Sequence, residues 1–103
     1  MSALREGPGL AIEAATGRVE VVAFDHHGAP RGHAIEDVSH GHTRRLVPMV
    51  HETLSGAGIA PGALAWVAAD LGPGSFTGVR VGLATACALA QAAGAALLGA
   101  SSL

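Results

Sequence analysis

Between Gly78 and Gly94 a residue with little or no side chain stands at every fourth position: Gly78, Gly82, Ala86, Ala90 and Gly94. Positions four apart stack along one face of an α-helix. A helix over this segment therefore presents a bare ridge of backbone, which stabilises a fold only where another element lies in van der Waals contact with it. One candidate for that element is the chain's own sheet or first helix. The other is a helix of a second subunit, and different faces of one helix can serve both.

The composition fits one small domain built around such close contacts. Of 103 residues, 50% are hydrophobic and 14% charged, with a mean hydropathy of +0.42. That is too apolar for a disordered segment and sufficient for a modest core. Aromatics amount to 3%, namely Phe24, Trp66 and Phe76, so alanine supplies much of the apolar volume. Val81 to Ala100 carries no charge and is long enough to span a bilayer, but it is mostly Ala and Gly, broken by Thr85 and Gln91. A helix followed by a buried strand in a soluble protein is the expected outcome. Met1 to Gly9 lacks a basic start followed by an apolar run, so no secretory signal is expected. The single Cys87 excludes an intrachain disulfide and a multi-cysteine zinc site, and fits the reducing cytoplasm.

The charges exclude several function classes. Net charge is −2, the isoelectric point is near 6.3, and the six basic residues are all arginine: Arg5, Arg18, Arg31, Arg44, Arg45 and Arg80. They are scattered, so no stripe reads as a phosphate-backbone footprint, and direct binding to nucleic acid is not expected. Without lysine there is no Schiff-base chemistry and no P-loop lysine.

Hydrophobic period divides the chain. Leu10 to Ala14, Arg18 to Phe24 and Arg31 to Val38 read as three strands joined by tight turns at Thr16-Gly17 and Asp25 to Gly28, an antiparallel meander. The spacing then turns helical, with Leu46, Val47, Val50 and Leu54 on one side and Arg44, Arg45, His51 and Glu52 on the other. Pro48 either kinks this helix or marks the first turn of its main part, and Gly56 and Gly58 end it. Ala65 to Ala69 reads as a buried strand, Thr77 to Ala93 as a long helix ending at Gly94, and Ala95 to Leu98 as a last strand. The order βββαβαβ predicts an α/β fold. A three-stranded antiparallel meander is extended by parallel strands with crossover helices, the ribonuclease-H-like lobe of an actin-type ATPase architecture.

The stretch from Gly72 to Gly82, GPGSFTGVRVG, links strand to helix. Gly72 and Gly74 permit close backbone approach, Ser75 or Thr77 can cap the helix, and the free amides could meet an anion. Three enzyme motifs come near it and fail. A Walker loop needs a lysine. A dinucleotide fingerprint, met by Gly72, Gly74 and Gly78, needs an acidic residue about twenty positions on, where only Leu97 to Leu103 stand. A nucleophile elbow would need glycine in place of Pro73 and Thr77. A capping and packing loop is the plainer reading, with an anion site as the alternative.

The nineteen-residue segment GPGSFTGVRVGLATACALA resembles the GPGSFTGLRIGLATAKGLA signature of the TsaB (YeaZ) family, partners of TsaD in making threonylcarbamoyl-adenosine in transfer RNA. Leu10 to Thr16 (LAIEAAT) is similar to the family's first strand and turn, LAIDTST. His42 to Val50 (HTRRLVPMV) is similar to its HSERLLPLI helix, and Gly99 to Leu103 (GASSL) to its GVSSL. The resemblance implies a non-catalytic subunit that needs no cofactor. It would pair with TsaD through helices of an N-terminal lobe, be joined by the nucleotide-binding subunit TsaE, and touch tRNA only indirectly. Alone, it would form homodimers through the same faces. By position the pairing helices are Thr43 to Ser55 and Thr77 to Ala93. The expected contact residues are Leu46, Met49 and Val50 on the first, with Gly78, Arg80, Gly82, Ala86 and Ala90 on the second. Gly82→Trp is then expected to abolish pairing while leaving the lobe folded.

Two features depart from the family. Glu13 stands where relatives carry Asp, at a turn that contacts phosphate in ATPases of this fold. Relatives also continue into a second, similar lobe, so residues 1–103 are expected to be a single lobe without its companion. The alternative function is an ATP- or metal-dependent hydrolase using the Gly72–Gly78 loop with His40 and His42. Of the six histidines, His26, His27, His33, His40, His42 and His51, no two share the i, i+4 spacing of helical metal ligands. A site of His40, His42 and Asp37 is conceivable, but solvated or packing histidines are the expectation and no metal is implied. Asp70, ending a buried strand, is expected to bond the loop amides that follow it.

Overall fold

The computed structural model describes residues 6–14, 18–37, 43–70 and 76–100. The β-branched, alternating segments form β1 (Gly9–Glu13), β2 (Arg18–Phe24) and β3 (Pro30–Asp37), and α1 follows over Thr43–Ala57. A short 3-10 turn at Pro61–Ala63 leads into β4 (Trp66–Asp70), and α2 (Phe76–Ala93) and β5 (Ala96–Ala100) complete the described chain. The five strands form one mixed sheet in the order β3-β2-β1-β4-β5. The β1–β2 and β2–β3 pairs are antiparallel, and the β1–β4 and β4–β5 pairs are parallel. This is the expected α/β meander extended by parallel strands. The Thr16-Gly17 turn lies outside the described residues.

Register determines which side chains share a face. Leu10 pairs with Ala23 and Val67, and Ile12 with Val21 and Ala69, so these six point to one side of the sheet with Val19. Both helices cover that side. A Cβ on Gly32 of β3 would lie 2.7 Å from the Thr53 carbonyl oxygen of α1, and one on Gly82 of α2 would lie 3.8 Å from Ile12. Leu46, Met49, Val50 and Leu54 complete the core from α1, and Ala86 and Ala90 from α2. Each fully buried aliphatic side chain contributes about 1.5–3 kcal/mol relative to exposure. The opposite face of the sheet carries Phe24 and Trp66, whose rings meet at 5.5 Å, both half-buried.

Both helices end by one device. Gly58 (φ +72°) and Gly94 (φ +66°) take the left-handed conformation that a Cβ disfavours. The Ile59 amide donates to the Leu54 carbonyl and the Gly58 amide to that of Ser55; Ala95 and Gly94 repeat the pattern onto Ala90 and Gln91. These are Schellman closures, which satisfy carbonyls otherwise left open. Pro48 sits inside α1 with its ring exposed, and the helix runs on through it. In the β2–β3 hairpin, Asp25 accepts bonds from the amides of His27 and Ala29 and from Arg31 Nε at 2.7 Å. The Arg31 guanidinium foremost, then the Ala29 amide, holds its carboxyl down at about 2.

One expectation is corrected here. The last strand is not buried: Leu97 is 42% and Leu98 36% exposed, because β5 is the edge of the sheet and pairs only with β4. The turn at Pro61–Ala63 was not foreseen, since Pro-Gly-Ala carries loop signals and no period. Among the described residues no helix is long and apolar enough to cross a membrane.

Candidate functional site

Two helices lying side by side on one sheet face leave a furrow between their outer surfaces. Here it is a groove of about 380 Å³, lined by Val47, Val50 and His51 of α1 and by Ala84, Thr85, Ala88 and Leu89 of α2. The helical period produces this arrangement. Leu46, Met49, Val50 and Leu54 turn α1's apolar stripe inward, which leaves Val47 (50% exposed) and His51 on the flank toward α2. On α2, Ala84 and Ala88 are one helical turn apart, and their methyl groups keep that wall low. The lining is apolar apart from His51 and Thr85, with no carboxylate or guanidinium among the described lining residues. Such a surface can accept an apolar helix ridge of another molecule. Among the described lining residues no nucleophile is flanked by a base and an orienting acid.

The contact residues expected from sequence fall largely elsewhere. Leu46, Met49 and Val50 are 1%, 2% and 2% exposed, Ala86 and Ala90 are 0% and 5%, and Gly82 is buried. All belong to this chain's own interior, with only Val50 reaching the groove floor. At Gly82, Ala86 and Ala90 the ridge on α2 therefore faces the chain's own interior: a Cβ on Gly82 would contact Ala14 at 3.6 Å and Ile12 at 3.8 Å, while Gly94 is exposed. The expectation that Gly82→Trp spares folding is accordingly reversed. Arg80 is exposed on α2. Gly78 and Thr77 lie in the first turns of that helix, their surroundings undescribed. The loop residues Gly72, Gly74 and Ser75 lie outside the described residues, as do His40 and His42. Sequence reasoning missed Val47, His51, Ala84, Thr85, Ala88 and Leu89; the pairs 47/51 and 84/88 at i, i+4 were the available signal.

A second constellation lies at the carboxyl ends of the parallel strands β1 and β4. Ile12 pairs with Ala69, which brings the next residues, Glu13 and Asp70, side by side, and their carboxyl groups are hydrogen-bonded. Desolvation first, then the bond to Asp70 and the charges of Asp70 and Glu20, raise the Glu13 carboxyl above its ordinary 4.5, while Arg18 opposes them. The proton is held more tightly in the folded chain than in the unfolded one, so this group's contribution to stability falls as pH rises through the carboxylate range. Glu13→Gln is therefore expected to raise the melting temperature near neutral pH. The gain should vanish in acid, where Glu13 is protonated in the folded and unfolded chain alike, as thermal melts across pH would show.

The remaining described histidines are dispersed. His33 bonds Glu20 at 2.6 Å, and the His26 and His27 rings meet at a tilt, 3.9 Å apart, in the hairpin. Among the described residues no group of three or more His, Cys, Asp or Glu could hold a metal ion.

The family model described as TsaD, tRNA N6-adenosine threonylcarbamoyltransferase, matches residues 18–103. The TsaB protein of Escherichia coli, named for tRNA threonylcarbamoyladenosine biosynthesis, is 37% identical over 94 residues, covering 91% of this chain and 40% of that protein. A tRNA N6-adenosine threonylcarbamoyltransferase of Erythrobacter litoralis is 37% identical over 79 residues, covering 76% of this chain and 23% of the relative. The solved structure of YeaZ from Pseudomonas aeruginosa superposes with a TM-score of 0.82 at 34% identity, covering 92% of this chain and 43% of that one. The chain thus spans less than half the length of each of these relatives. The sheet order, the helix pair and these likenesses agree: the chain belongs to the TsaD family, as a protein of the TsaB/YeaZ type.

Proposed function

We propose that the chain is a non-catalytic scaffold in the threonylcarbamoyl-adenosine modification of tRNA, pairing with a TsaD-type transferase through the groove between α1 and α2. The observation that supports it is an apolar groove, exposed on the helix layer and empty of catalytic groupings, in a chain 37% identical to a TsaB protein. The transferase is itself a relative of this chain, so each can offer the other a corresponding pair of helices. In this reading a TsaE homologue joins the pair, tRNA is reached only through the complex in the cytoplasm, and the chain without its partner pairs with itself.

The test is tRNA threonylcarbamoylation measured with the transferase alone, the chain alone and the two together. The chain alone is expected to modify no tRNA and to raise the rate of the transferase. Modification by the chain alone, or a transferase indifferent to it, would contradict the reading.

A further inference from the structure

We infer that His51 makes pairing at the groove pH-sensitive, with association weakening as the imidazole takes up a proton; this rests on the reading of the groove as the face that meets the transferase. His51 is exposed in the free chain and lines the groove beside Val47 and Val50. The wall opposite it is Ala84, Thr85, Ala88 and Leu89, in which nothing titrates. On its own helix the exposed Glu52 comes next in sequence, outside the groove lining, and Arg45 is bonded through Nε and Nη2 to Glu36 of β3 at 2.9 and 3.1 Å. Among the described lining residues there is no anion to hold an imidazolium.

A partner helix seated in this groove strips water from His51. A neutral imidazole loses water at modest cost and can satisfy one nitrogen on a hydroxyl such as that of Thr85. A protonated ring buried among Val, Ala and Leu side chains costs far more. Proton uptake and pairing thus compete, and the complex binds fewer protons than the separated chains. By linkage, association strengthens as pH rises. The apolar lining favours a partner that presents aliphatic side chains here. A partner carrying a carboxylate opposite His51 would give the reverse dependence, so the sign of the effect reports which chemistry covers the groove.

The dissociation constant of the chain with its transferase is to be measured by titration calorimetry at pH about 7.5 and about 5.5. Binding is expected to be several-fold weaker at the lower pH. His51→Leu and His51→Gln, both at an exposed position, are expected to remove that loss, while His27→Gln in the distant hairpin retains it. An equal loss in His51→Gln and in the parent chain, or tighter binding in acid, overturns the inference. Absence of binding at both pH values overturns the pairing reading itself and the inference with it, a result distinct from binding that ignores pH.

Discussion

Gly82→Trp is expected to unfold the chain. Gly82 lies on the face of α2 that rests on β1, with Ala14 and Ile12 within ordinary contact distance of where its Cβ would be. Both neighbours are themselves buried, at 7% and 3% exposure, and so have no solvent into which to retreat. Adding even a few methylenes to a closed core costs about 1–3 kcal/mol, and an indole at this position must lift the helix off the sheet. Small domains are stable by about 5–15 kcal/mol in all, so little of the cooperative transition should survive. Gly82→Ala is the matched control. Among the described residues its methyl group would meet neighbours no closer than 3.6 Å, and the gain in helix propensity is about 1 kcal/mol. Thermal melts followed by circular dichroism should therefore show no cooperative transition for tryptophan and an unchanged or higher midpoint for alanine. A folded Gly82→Trp chain would mean that the ridge does not rest on the sheet.

Ala88→Trp is expected to do the opposite. Ala88 is exposed and forms part of the low wall of the groove. A ring there can occupy the open groove without displacing a buried side chain, so the melting temperature of the isolated chain should change little. In the groove the same ring fills the space a partner helix needs. Affinity for the transferase is expected to fall at least ~100-fold, about 2.7 kcal/mol. The two substitutions, six residues apart on one helix, thereby separate the packing face from the pairing face. If Ala88→Trp binds as well as the parent chain, the groove is not where pairing occurs.

Much of the fold was legible because its elements differ in period. RVEVVAF alternates, and β2 occupies the expected Arg18–Phe24. The switch to threefold and fourfold spacing at Leu46 marks α1, whose charged residues contrast with its apolar stripe. Strand exposure was less legible: AALLG is apolar enough for a sheet interior, and only the strand order places it at the edge. The site was the least legible part. In α2 all residues but Phe76, Arg80, Cys87 and Gln91 are Ala, Gly, Val, Leu or Thr, so the helix has little amphipathic contrast to say which small-residue stripe faces inward. The stripe through Gly82, Ala86 and Ala90 turns to the sheet, and the one through Ala84 and Ala88 turns outward. On α1 the stripe was read correctly at Leu46, Val50 and Leu54, but Val47, placed with them, is 50% exposed, and Met49 is buried in the core instead.

Pairing itself is tested most directly by light scattering on a sizing column, with the chain alone and then mixed with the TsaD-type transferase. A one-to-one complex that displaces any self-association of the chain is the predicted result. A chain that elutes unchanged beside a transferase peak of unaltered mass would contradict it.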